Sequence, residues 1–346
     1  MDDAAPLDRL LRAPATWALV ALAALLAAGA LGSPGFLAVE WRDGRLYGTP
    51  IDILNHGSKV AIVAIGMTLV IATRGVDLSV GAVVAIASAI VATLVSHRGM
   101  PWAPAMACAL GAALLAGLWN GALVAFLRLQ PIVATLVLMV AGRGVAQLIT
   151  DGQIVTVRDP AVAYLGNASL LFLPATVSAL AAIAALAWLG TRRTAFGLFL
   201  ESIGENERAA RLSGIPVRPV LLVAYAACGL CAGVAGLIDC AYIRAADANN
   251  AGQLLELDAI LAVVLGGTAL TGGRFSLVGS VIGAMLMQTL TKVLYVFDVS
   301  ADIAPAPKAA IVLAVCLLQS PPLRAACARR WQAVRGRLRA SAEARP

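Results

Sequence analysis

Residues 56–81 read HGSKVAIVAIGMTLVIATRGVDLSVG. From Val60 to Thr73 the stretch carries no charge. After a break at Arg74 and Asp77, a second apolar run starts at Leu78 and continues to Ser96. A helix needs about 20 consecutive apolar residues to cross a hydrocarbon core of roughly 30 Å. Such runs recur along the whole chain, near residues 15–32, 56–73, 78–96, 103–127, 131–149, 170–190, 218–240, 257–272, 276–297 and 303–320. Gly, Pro and charged residues punctuate them. The eighth is short and is interrupted by Gly266-Gly267 and Gly272-Gly273, the pattern of a broken or re-entrant helix.

The composition agrees. The 346 residues are 60% hydrophobic and 13% charged, with a mean hydropathy of +0.87, whereas soluble domains carry about 25% charged residues. Strands of a membrane β-barrel would alternate apolar and polar residues, and these runs do not. The fold class is therefore an all-α polytopic membrane protein with about ten transmembrane helices. The first run follows Arg9 and Arg12 and could be a signal peptide. Leu31-Gly32-Ser33-Pro34 is a poor cleavage site, so it reads as a first membrane helix.

Ten spans with the N-terminus inside place Arg9, Arg12, Arg74, Arg128, Arg192, Arg193, Arg208, Arg211, Arg218, Arg274 and an arginine-rich tail in the cytoplasm. Arg42, Arg45, Arg98, Arg158 and Arg244 remain outside. This obeys the positive-inside rule and requires an even number of spans, eight or ten. The organisation is then a cytoplasmic N-terminal segment (1–14), a transmembrane domain (15–320) with a cytoplasmic loop (191–217), and a basic cytoplasmic tail (321–346). The net charge of +7 is concentrated in that tail, which suits contact with anionic membrane lipid. With no basic soluble domain and no interleaved aromatics, nucleic acid is not an expected partner.

Within the loop, Gly204-Glu205-Asn206-Glu207-Arg208-Ala209-Ala210-Arg211-Leu212-Ser213-Gly214-Ile215-Pro216 reads as a charged helix of about two turns with defined ends. Asn206 is a good N-cap. Glu207 and Arg211 stand four apart in the favoured order. Gly214 fits the left-handed position after the last turn, and Pro216 blocks continuation. So short a helix is marginal in water and needs a brace. It is either a solvated connector or a docking helix for a cytoplasmic partner.

Several chemistries are absent from the sequence. None of Lys59, Lys292 and Lys308 follows a glycine-rich phosphate loop, so the chain carries no Walker A motif. His56 and His97 are too few for a metal centre, and no hydrolase signature is present. Cys228-Gly229-Leu230-Cys231 has redox spelling, but inside an apolar span it reads as a run of small packing residues. The chain is not expected to be an enzyme, and transport through it would need an ion gradient or another chain's ATP. Ionisable groups in or beside the spans are few, with Asp77, Arg143, Lys292 and Lys308 as the candidates, and the scarcity of deep acids argues against ion coupling. Asn120, Gln147 and Gln288 can hydrogen-bond between helices or contact sugar hydroxyls. An internal echo also appears. Residues 73–84, TRGVDLSVGAVV, overlay 271–282, TGGRFSLVGSVI, which hints at a structural repeat.

Three ordered motifs carry a resemblance. Residues 66–81 (GMTLVIATRGVDLSVG), residues 204–215 (GENERAARLSGI) and the glycines at 266–267 and 272–273 resemble the permeases of ribose-type sugar ABC importers over nearly the whole chain. Residues 50–55, 140–150 and 245–252 (AADANNAG) add a likeness to the galactofuranose branch of that family. The family pattern has Gly-Gly-Ile-Asp-Leu-Ser where this chain has Arg74-Gly75-Val76-Asp77-Leu78-Ser79, which places bulk and charge where bare backbone is expected.

The resemblance implies a multi-pass permease of the bacterial inner membrane, working as a homodimer or with a close paralogue. A periplasmic sugar-binding protein would deliver a monosaccharide, with galactofuranose the best match and ribose or arabinose as alternatives. An ATPase subunit, which would bind ATP and Mg, would press on Glu205, Asn206, Glu207, Arg208, Ala209, Ala210, Arg211, Leu212, Ser213 and Gly214. The chain itself would hold no cofactor. Asp77, Asn120, Arg143, Gln147, Asn249, Asn250 and Gln288 are the candidates for the substrate path.

Overall fold

A computed structural model describes residues 14–42, 44–170, 172–300 and 303–319. Residues 1–13 of the expected N-terminal segment and the whole basic tail 321–346 lie outside the described residues.

The chain is a helical bundle. In order it forms α1 (Pro14–Gly32), the hairpin β1 (Glu40–Arg42) and β2 (Arg45–Tyr47), α2 (Thr49–Ala72), α3 (Val80–Ser96), α4 (Trp102–Ala125) and α5 (Pro131–Ile149). Then follow β3 (Val155–Thr156), α6 (Pro160–Asn167), β4 (Ser169–Leu170), β5 (Leu173–Pro174), α7 (Ala175–Arg192), α8 (Ala195–Glu205), α9 (Glu207–Leu212) and α10 (Val217–Ile243). The last elements are β6 (Ala245–Ala246), α11 (Leu255–Leu265), α12 (Leu277–Val296) and α13 (Pro305–Gln319). The strands form three short antiparallel pairs, among them β3 with β6, which ties the segment after α5 to the segment after α10.

Helix starts follow local chemistry. Pro50 and Pro131 occupy first-turn positions, where a missing N–H costs nothing. Asp159 caps α6 by accepting from the Ala161 N–H at 2.7 Å, and Ser276 caps α12 by accepting from the Gly279 N–H at 3.0 Å.

α2 is the axis of the bundle. It is buried along most of its length between α7, α10, α11 and α12. α4, α5 and α7 stand at the periphery and turn Leu115, Trp119, Val137, Val140, Leu148 and Leu186 outward. So much exposed apolar surface on long helices suits contact with lipid. Among the described residues six helices, α2, α4, α5, α7, α10 and α12, are long and apolar enough to cross a membrane. The other expected spans correspond to the shorter apolar helices α1, α3 and α13 and to α11. The eighth expected span, 257–272, needs correction, because its helix ends at Leu265. Gly266 packs backbone to backbone on Gly279, and Gly267 adopts φ +92°, so the chain turns there toward α12.

The connection between α2 and α3 does not leave the bundle. Gly75 packs against Tyr225 and Val70, and Asp77 and Ser79 are buried. This irregular backbone is satisfied internally. The Gly75 N–H donates to the Val70 carbonyl at 3.1 Å, and the Thr135 hydroxyl accepts from the Leu78 N–H at 3.1 Å. Asp77 Oδ1 accepts from the backbone N–H and the hydroxyl of Ser79 at 2.9 and 2.7 Å, and the Asn120 amide donates to Ser79 Oγ at 2.8 Å. α3 therefore starts part-way along the bundle, with Gly81 against Gly252 and Glu256. The two echoing stretches play parallel parts. Each leads through a positive φ, +66° at Arg74 and +80° at Gly272, into a helix whose first-turn glycine, Gly81 or Gly279, lies against another backbone.

Gly283 tests the close crossing of α11 and α12, because a Cβ there would fall on the Ala262 carbonyl, whereas Gly144 has open space around it. Gly283→Val is expected to lower stability by about 1–3 kcal/mol. Gly144→Ala is expected to leave the thermal unfolding midpoint in detergent unchanged or slightly raised.

Candidate functional site

Two polar regions sit at opposite ends of the bundle. The first is a pocket of about 370 Å³ between α2, α10, α11, α12 and the 247–253 loop. Its size falls in the range of small-molecule sites. His56 and Lys59 line it from α2, Asp239 from α10, Asn250 from the loop, Asp258 from α11 and Gln288 from α12. Charges in such a place must be paired. Lys59 Nζ meets Asp239 Oδ1 at 2.6 Å, and Lys308 of α13 meets both oxygens of Asp258 at 2.7 and 2.8 Å. His56 Nε2 lies 3.2 Å from the Tyr242 hydroxyl, with the two rings edge to face.

The loop over this pocket is built by Asp247, whose Oδ1 accepts from the Asn249 and Asn250 N–H groups at 3.0 and 3.3 Å. Its other oxygen accepts from the Asn250 amide at 2.7 Å. α5 holds the loop from the side. Gln147 donates to Asn249 Oδ1 at 2.7 Å, and the Arg143 guanidinium donates to the Ala251 carbonyl. The structure thus brings Arg143, Gln147, Asn249 and Asn250 together around one loop and places Gln288 across the pocket from Asn250. It does not bring Asp77 and Asn120 there. They are 1% and 0% exposed and brace the α2–α3 connection. Lys292 pairs with Asp52 at 3.3 Å near the start of α2.

Sequence reasoning missed Lys59, Asp239, Asp258 and Glu256. Asp239 stands near the end of α10, and Glu256 and Asp258 in the first turn of α11, so these acids gather at helix ends around the pocket rather than deep in the spans. The signal was available as isolated charges of opposite sign in separate apolar runs, but nothing in the sequence says which lysine meets which aspartate.

The second region is the arginine-rich end, where Arg74, Arg128, Glu207 and Arg211 line a cavity of about 340 Å³. Thr194 caps α8 by accepting from the Phe196 N–H at 3.1 Å. Asn206 then adopts an extended conformation, breaks the helix, and caps α9 by accepting from the Ala209 N–H at 3.1 Å. Arg211 pairs with Glu207 at 2.7 Å, and Gly214 takes φ +82°. The expected short helix is present, with two corrections. Glu205 is the last residue of α8 rather than part of α9, whose six residues make the expected length of about two turns. Ala210 is 4% exposed and packs with Leu69, Leu200, Ile203 and Val217, so it braces α9 from within and is not open to a partner. Arg208, Ala209, Leu212 and Ser213 face outward, and Leu212 is 90% exposed.

α8 is anchored to the end of α2. The Gly273 N–H donates to the Ala72 carbonyl at 2.9 Å, and a side chain at Gly204 would strike both groups. Arg74 donates to the Glu205 carbonyl at 2.5 Å.

Neither region resembles the larger cleft of about 580 Å³ between α2, α7 and α10, which is almost wholly apolar. Cys228 and Cys231 are buried free thiols, and a Cβ at Gly66 would meet both residues, so the C-x-x-C is a packing surface.

The comparisons with known proteins follow this geometry. Residues 49–319 match the family described as branched-chain amino acid transport system / permease component. The galactofuranose transporter permease protein of Escherichia coli K12 is 52% identical over 302 residues, covering 87% of this chain and 88% of the relative. The fructose import permease protein of Bifidobacterium longum is 38% identical over 91% of this chain and 90% of its own length. The ribose import permease protein of Escherichia coli K12 is 38% identical over 87% and 92%. No solved structure matches significantly. The chain belongs to this family of transport permeases and is a multi-pass membrane protein.

The Lys59–Asp239 pair gives a direct test of the pocket's electrostatics. Lys59→Met leaves an unpaired carboxylate in a poorly hydrated place and is expected to cost about 1–3 kcal/mol. The double variant Lys59→Met/Asp239→Leu is expected to recover most of that loss. Thermal melts of the single and double variants measure the coupling.

Proposed function

We propose that this chain is the membrane-spanning subunit of an ATP-driven sugar importer in the bacterial inner membrane, with galactofuranose as its first candidate substrate. The 52% identity to a galactofuranose permease over most of both chains supports the sugar. Fructose, ribose and arabinose are the competitors in any assay. The observation that carries the ATP-driven part is Leu212. An apolar side chain that is 90% exposed on a capped, internally braced helix adds nothing to the core and is free to enter a pocket on another protein.

On this reading the arginine-rich end faces the cytoplasm, as do both termini. A partner ATPase, holding ATP and Mg, docks on the outward residues of 205–214. Glu205, Asn206, Glu207, Arg208, Ala209, Arg211, Ser213 and Gly214 surround the Leu212 anchor, while Ala210 positions them. The paired-charge pocket faces the periplasm, where a sugar-binding protein delivers its cargo. Gln288, Asn250 and their neighbours offer the donors and acceptors that sugar hydroxyls require. A second copy of the chain or a close paralogue completes the path, and anionic lipid meets the basic tail. ATP hydrolysis belongs to the partner, and this chain supplies the gated route.

Reconstitution in liposomes with the ATPase and binding-protein subunits tests the reading. Uptake of galactofuranose is expected to require all three proteins and ATP, and to exceed uptake of ribose and fructose. Uptake by this chain alone, driven by a proton or sodium gradient, would overturn it. Leu212→Asp is expected to leave the melting temperature unchanged and to weaken binding of the ATPase subunit by about tenfold or more, as read by co-purification and uptake rate.

A further inference from the structure

The joint between α2 and the α8–α9 elbow contains a feature that neither helix capping nor partner docking requires. Arg74 holds φ +66°, a left-handed conformation unfavourable to a long side chain. Its backbone alone would be better served by glycine. What the arginine adds is its guanidinium, which donates to the Glu205 carbonyl at 2.5 Å. Glu205 is the last residue of α8. The final carbonyls of a helix lack partners in their own helix, and they form the negative end of its dipole. A cation aimed at one of them makes a charge-assisted bond at the point where the elbow bends.

The surroundings are built to bring this contact close. Arg74 Cγ occupies the place a side chain at Gly272 would need, and a Cβ on Gly273 would meet Glu205 Oε1 at 2.5 Å. Gly204 admits the Ala72 carbonyl and the Gly273 N–H. Three segments distant in sequence thus meet at the end of α2. That helix has 24 residues and runs unbroken for about 36 Å. Its other half carries His56 and Lys59 of the paired-charge pocket.

We propose that Arg74 is a positioning residue that latches the α8–α9 elbow to α2. A push on α9 then displaces α2 as a rigid body and reaches the pocket through Lys59 and its partner Asp239. The latch is a statement about this chain alone, whereas the transmission rests on the importer reading above.

Arg74→Gly relieves the positive φ and removes the guanidinium together with the stem that lies beside Gly272, so the variant is expected to fold, and Arg74→Lys keeps the stem and the charge without the planar fork. Amide hydrogen exchange on the purified permease reads the latch without any partner. In Arg74→Gly, exchange over residues 203–212 is expected to rise by about tenfold or more, with α10 unchanged. Arg74→Lys is expected to fall between Arg74→Gly and wild type. Equal exchange in wild type and Arg74→Gly would overturn the latch.

In liposomes with the ATPase and binding-protein subunits, sugar moved per ATP hydrolysed is expected to fall several-fold in Arg74→Gly, while the ATPase subunit still co-purifies. A wild-type ratio in that variant would overturn the transmission. A wild-type permease that shows no ATP-driven uptake would overturn the importer reading instead, and the exchange result would still decide the latch.

Discussion

Backbone and charged groups inside this bundle must be satisfied within the chain, because the surrounding lipid offers no partners. That constraint explains features that otherwise look unrelated. The α2–α3 connection can run irregularly through the interior because Thr135 and Asp77 bond its backbone, while Ser79 and Asn120 bond the Asp77 side chain in turn. Asp77 is therefore committed to the fold. The same constraint ties Lys59 to Asp239 and Lys308 to Asp258, while Asp247 in the pocket's rim is held by N–H and amide donors of its own loop.

Close approach of backbones is the second theme, and glycine makes it possible at a few decisive places. Gly266 against Gly279 turns the chain between α11 and α12, and Gly204 against Ala72 and Gly273 seats α8 on the end of α2. A methyl group at any of these points would push main chains apart. The consequence is mechanical. The elbow that presents Leu212 is joined by backbone contacts to the most buried helix of the molecule, and that helix continues into the pocket at the other end.

Much of this was legible in the residues. Apolar run length located eight helices within about five residues, α2 beginning at Thr49 ahead of its expected start at 56, and the distribution of arginines grouped one end of the bundle. Asn206, Glu207, Arg211 and Gly214 announced the boundaries of α9 through local capping chemistry, which depends only on neighbours in sequence. Gly266-Gly267 signalled an interruption, although the helix stops seven residues before the expected end. The legible part of the candidate site was the part that is local. Arg143, Gln147, Asn249 and Asn250 stood out as polar residues in apolar or loop contexts, and they do converge. Asp77 and Asn120 stood out for the same reason but brace the α2–α3 connection.

The sequence by itself determined a polytopic helical membrane protein and a short capped helix at its basic end, because these follow from run length and neighbour-to-neighbour hydrogen bonding. Only the tertiary structure decided which way each residue of that helix faces, burying Ala210 and exposing Leu212. It alone paired Lys59 with Asp239 across 180 residues and carried Arg74 to Glu205 across 131. Such contacts depend on how helices cross in space, and helical periodicity within one segment carries no record of which partner lies opposite.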